Sequence, residues 1–244
     1  MNTVIWHDLE CGHYEQDLPL WLALAAEHVG QAQVMLDVGA GTGRVTLPVA
    51  RAGHQVLALD TSRQLLIELE RRAAGLPVET VCTDAREFEL PGRAFGLIAV
   101  PMQTLQLLGG ADGHLAFMRR ARAHLLDGGI VAVAIADARD FEEFEWHDGD
   151  ASPLPDVTEQ EGWAYFSQPT AVRRNGDTFV LERRREAVDT HGTRSTSADR
   201  IALDVVSVQA LQEAGQRAGL HPQSVRQIPP TEEHIGSRVV IFSA

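Results

Sequence analysis

The chain has 244 residues, 21 basic against 34 acidic side chains, and a formal net charge of −13. That length suits one α/β domain with an insertion or small second lobe, and the acidic balance argues against a nucleic-acid partner, which needs a basic face to neutralise phosphates. No apolar run is long enough to span a bilayer, the first residues lack the pattern of a secretory signal, and two cysteines, Cys11 and Cys82, are too few for a disulfide framework, so a cytoplasmic protein without a membrane partner is expected.

In chain order, residues 7–16 are polar with aromatic insertions and Tyr14 among them. Residues 17–30 predict an amphipathic helix, with Pro19 in its first turn and Gly30 at its end. Residues 34–38 are apolar in the manner of a buried parallel strand, and Asp37 sits at the strand end. Gly39, Gly41 and Gly43 follow, and a helix resumes over 44–51. Strand, glycine turn and helix together bring bare backbone against a ligand. The dinucleotide fingerprint G-x-G-x-x-G requires its third glycine at position 44, which is Arg44 here. The early third glycine counts against a nicotinamide or flavin dinucleotide.

A second strand over 55–60 ends in Asp60, an acid placed to accept both hydroxyls of a ribose. Thr61 and Ser62 cap a helix over 63–74. A third strand, 79–84, ends in Asp84 followed by Ala85, and Cys82 within it reads as a small core residue. A fourth, 95–101, ends at Pro101 and Met102. Asp112 is expected to cap a helix reaching Leu126, Asp127-Gly-Gly129 stops it, and 130–136 is a fifth buried strand. Short connections between alternating strands and helices imply a doubly wound parallel sheet. Residues 137–160 then read as a long irregular, acidic segment. Three antiparallel strands, 163–173, 178–188 and 194–207, follow around turns at Asn175-Gly176 and near Gly192. The run Arg183-Arg184-Arg185 within them reads as a solvated edge or an ion-pairing strand. A helix over 208–218 and strands 224–228 and 238–242 close the chain.

The glycine loop with Asp37, then Asp60, then Asp84-Ala85, in that order, resembles the class I S-adenosylmethionine (SAM)-dependent methyltransferases over roughly residues 30–140. The resemblance implies an α/β fold with a doubly wound, mostly parallel seven-stranded Rossmann-like sheet and an inserted antiparallel flap. It divides the chain into a helical cover (1–30), a SAM-binding core (31–140), an irregular segment with the flap (141–207), and a closing helix and strands (208–244). It implies SAM as cofactor, with Asp37, Gly39, Ala40 and Gly41 at the methionyl part, Asp60 at the ribose and Asp84 with Ala85 at the adenine. Thr61 joins the adenosine pocket, Pro101 and Met102 lie at the cofactor, and Met102 with Gln103 either contacts cofactor or substrate or only shapes the loop. Tyr14 either faces the cofactor or packs its helix on the sheet.

The turn at 101–104 lacks the Asn/Asp-Pro-Pro-aromatic sequence with which amino-methyltransferases of nucleobases and protein amides hold a planar amine. That favours a small-molecule acceptor, methylated at nitrogen or oxygen. The flap resembles that of sugar-amine and glycine N-methyltransferase-like enzymes and suits a homodimer contact. A hydroxyl acceptor, and in some states an amine, needs a general base. His7, His13, His191 and His234 are candidates, and His147 is preferred because its segment leaves the carboxyl end of the fifth strand, where Trp146 and Tyr165 are either apolar walls or simple packing residues. No His/Cys cluster has zinc spacing, and the acids at 137, 140, 142 and 143 read as a solvated loop, so no metal is expected. The competing functions are a SAM-binding protein without turnover and a nucleotide-dependent oxidoreductase.

Overall fold

The structure, a computed structural model, describes residues 3–30, 33–136, 153–231 and 235–244. Two helices, α1 (Thr3–Cys11) and α2 (Leu18–His28), precede a seven-stranded sheet in the order β10-β11-β5-β4-β1-β2-β3. Its strands are β1 (Val34–Val38), β2 (Gln55–Asp60), β3 (Val78–Cys82), β4 (Phe95–Val100), β5 (Leu125–Ile135), β10 (His221–Ile228) and β11 (Ser237–Ser243). β3, β2, β1, β4 and β5 run parallel, and β11 and β10 form an antiparallel hairpin at one edge. β4 is buried at every position, as a strand covered on both faces must be. Helices α3 (Thr46–Arg51), α4 (Arg63–Arg72), α5 (Gly110–Ala123) and α6 (Val208–Arg217) join or cover these strands. One face packs Leu36, Ile98, Val131 and Phe242 against Phe117 and Leu211, and the other packs Met35, Leu97 and Ala132 against Trp21 and Val49.

A second, four-stranded antiparallel sheet forms the flap, in the order β6 (Asp156–Gln160), β7 (Trp163–Asn175), β8 (Thr178–Asp189) and β9 (Arg194–Asp204). The fold is the α/β architecture with an inserted flap that the sequence implies, and several local expectations change. The polar cover begins with a helix, α1. The segment read as irregular up to residue 160 contains β6, whose Val157 stays 51 % exposed. The arginine run lies in β8, an inner strand paired on both sides, and is not at an edge. Its ion pairing is real: Arg183 meets Asp156, and Arg185 meets Glu10 and Asp199.

The start of α5 also departs from expectation. Its N-cap is Gly109 and not Asp112, which lies in the first turn. The capping carboxylate comes from Asp204 at the end of β9, whose Oδ2 accepts from Gly109 N at 3.0 Å and Gly110 N at 2.6 Å. Cys82 is exposed, not a core residue, because β3 is the sheet edge; its Sγ faces the Thr61 carbonyl at 3.5 Å.

Candidate active site

The chain builds β1, β2 and β3 outward on one side, then returns to place β4 on the other side of β1. At such a reversal the loops leaving the carboxyl ends of adjacent strands diverge and open a crevice, where open α/β sheets bind ligands. The loops after β1 and β4 meet there. A Cβ built at Gly39 would lie 2.5 Å from Thr104 Cγ2, and Gly39 and Gly41 both adopt left-handed φ, +74° and +56°. No other residue type meets both demands. Met102, just past β4, holds φ +52° without being glycine, and such strain concentrates at ligand-binding loops.

The structure brings the expected acids to this edge. Asp37 is buried at 1 % exposure. One of its oxygens accepts from the Thr46 hydroxyl at 2.6 Å, while Oδ1 is buried without a partner. Burial pushes the Asp37 carboxyl up to about 6, against the pull of Thr46 and Arg44. Asp60 is oriented by two backbone amides, Gly41 N at 2.9 Å and Ser62 N at 2.8 Å. The glycine loop and the β2 acid are thus one unit. Asp84 is gripped by Arg86, with Nη2 at 2.6 Å and Nε at 3.0 Å, which holds its carboxyl below the usual range. Ala40, Ala85 and Pro101 are buried in the same region and Thr61 is exposed beside Asp60.

Tyr14 is buried under the loop rather than open in it. Its ring lies 5.2 Å from the Arg44 guanidinium, its carbonyl accepts from Arg44, and it packs with Trp21 and Met35. Arg44 is otherwise spent on Asp17, at 2.5 and 2.8 Å. The crevice also gains residues that the sequence did not single out. Thr42 donates to Asp8 of α1 at 2.6 Å, and Thr104 closes on Gly39. These contacts span tens of residues and leave no local pattern to read. His147, Trp146, His234 and the acids at 137, 140, 142 and 143 lie outside the described residues. Among those described, no three His, Cys, Asp or Glu are grouped to hold a metal ion, and no helix is long and apolar enough to cross a membrane.

Residues 35–129, which carry every one of these loops, match the family described as "Methyltransferase domain". In sequence the core thus resembles a methyltransferase domain. A cypemycin N-terminal methyltransferase from Streptomyces sp is similar in sequence, 27% identical over 192 residues, covering 79% of this chain and 65% of that protein. The chain spans less than two thirds of the length of the curated relatives it matches. In fold, it is similar to a SAM-bound amino pentose methyltransferase from Micromonospora echinaspora (TM-score 0.73, 19% identity, covering 98% of this chain and 97% of that one). It is also similar to a sugar N-methyltransferase from Streptoalloteichus sp (TM-score 0.72, 18% identity, covering 98% and 92%). The crevice suits SAM, the ligand bound in the amino pentose methyltransferase. The orphaned Asp37 oxygen, the glycine cradle and the amide-held Asp60 offer acceptors and close backbone to a cationic nucleoside.

Proposed function

We propose that this chain transfers the methyl group of SAM to a nitrogen or oxygen of a small-molecule acceptor. The observation that carries the reading is the joined unit of glycine loop and Asp60 at the β1/β4 reversal. When bound, SAM supplies a methyl group already activated by its sulfonium. The protein's work is to fix distance and angle and to present a lone pair. Asp37, Gly39, Ala40 and Gly41 hold the methionyl part, Asp60 the ribose diol, and Asp84 with Ala85 the adenine edge, with Thr61, Pro101 and Met102 along the walls. Tyr14 acts through Arg44, setting the loop from below. His147 is the proposed general base, on the segment leaving β5.

In this reading residues 1–30 cover the cofactor, 31–140 bind it, 141–207 close over the acceptor, and 208–244 complete the sheet. The sugar-amine and peptide-terminus activities in the relatives' names favour an amine acceptor, and the flap is the surface offered to a second copy of the chain. Incubation with SAM and a panel of amino sugars, peptides and phenols, followed by S-adenosylhomocysteine release, tests the reading. Release with an acceptor supports it. Tight SAM binding with no release across the panel favours a binding protein instead, and preference for NAD in a thermal-shift comparison contradicts both.

A further inference from the structure

His7 stands on the glycine turn. A Cβ built at Gly41 would lie 2.3 Å from His7 Nε2 and 2.4 Å from Cε1. The opposite ring nitrogen, Nδ1, faces the Thr42 hydroxyl at 3.4 Å. That hydroxyl donates to Asp8, and Asp8 is clamped by both Nη atoms of Arg72 on α4. Two further residues of α1 are anchored on the flap. Glu10 takes Arg185 through two oxygens at 2.7 and 2.6 Å and accepts from Ser167 at 2.7 Å, and Trp6 meets the Tyr165 ring edge-on at 5.3 Å. With the helix anchored through Trp6, Asp8 and Glu10, the ring presents Nε2 to the loop.

The loop's own cation does not compete for that role, because Arg44 is committed to Asp17 and the Tyr14 carbonyl. Asp60 ends β2 and Asp84 lies two residues past the end of β3; the SAM reading gives these two acids the nucleoside half of the crevice, which leaves the amino-acid half to the β1 turn. We propose that His7 is a further cofactor-contacting residue, its Nε2 hydrogen-bonded to the amino-acid end of the ligand as it passes Gly41. The assignment rests on the SAM reading above.

Calorimetric titration with two ligands separates contact from scaffolding. S-adenosylhomocysteine carries the amino-acid end; 5′-methylthioadenosine has the same nucleoside and thioether without it. His7→Ala weakens S-adenosylhomocysteine about 10-fold or more, the loss expected for a hydrogen bond to a charged group, and changes methylthioadenosine less than about 2-fold. His7→Phe keeps a ring in place without the nitrogen and shows the same selective loss, and His7→Gln, which keeps a polar hydrogen-bonding end, recovers most of the affinity. Equal losses on both ligands, or none on either, overturn the assignment while leaving the SAM reading intact. Wild-type protein that binds neither ligand overturns both.

Discussion

The cofactor crevice and the flap are held together by different physics. Around the crevice, β1 and β4 bury nearly every side chain, and the loops are fixed by backbone geometry, as in the amides that orient Asp60. The flap keeps many residues half-exposed and is joined to the rest through charged side chains, Glu10 with Arg185 and Asp204 with the start of α5, and through two small apolar clusters, Ala136 with Val172 and Phe179, and Trp6 and Leu9 with Ala187. Close packing makes the first region rigid and intolerant of change in volume. The flap's docking rests on fewer buried contacts, which tolerate more change.

Mutations that sharpen this contrast start in the core. Phe117 on α5 is fully buried. Phe117→Ala is expected to cost ~3–5 kcal/mol of stability in urea unfolding, from lost transfer energy and the cavity left behind. Asp37 gives an effect of nearly the same size that depends on pH. Its folded carboxyl sits at about 6 against an unfolded 3.8, so the folded state holds the extra proton between those values. The stabilisation is full below the unfolded value and is lost as pH rises through the folded one, about 3 kcal/mol in all. Asp37→Asn removes the titration. Without ligand, the variant's stability relative to wild type should rise between pH 4 and pH 7 by about that amount; equal pH profiles would show that Asp37 is not protonated in the fold.

On the flap side, Arg185→Ala leaves the Glu10 carboxylate, 6 % exposed, without its main partner. A loss of about 2 kcal/mol is expected, below that of a deeply buried pair because Arg185 reaches solvent. Amide exchange should quicken in β7 and β8 while the core strands keep their protection. Uniform quickening would mean that flap and core unfold as one unit. The smallest effect belongs to Arg93, whose partner Glu79 is 62 % exposed on the edge strand. Arg93→Ala should change stability by less than about 0.5 kcal/mol, within the range of surface pairs.

The same division explains what the sequence made legible. The glycine turn, the acids at the ends of β1 and β2, and the strands behind them are local patterns, and each lies where its residues predict. The misreadings depended on distant partners. Gly109 is capped by Asp204, 95 residues away. β6 became a strand by pairing with β7, since its own residues carry no apolar alternation. Cys82 looked like core until β3 took the sheet edge. α1 drew no attention as a helix because its anchors, Arg72 and Arg185, lie far along the chain. His7 was one histidine among several until α1 placed it on Gly41.

The central claim is that Asp60, locked to the glycine loop, holds the ribose of SAM, and calorimetric titration of SAM into wild type and Asp60→Ala tests it most directly. A loss of ~10- to 100-fold in affinity is predicted, corresponding to hydrogen bonds worth ~1.5–3 kcal/mol. Unchanged affinity in a folded Asp60→Ala protein would contradict it.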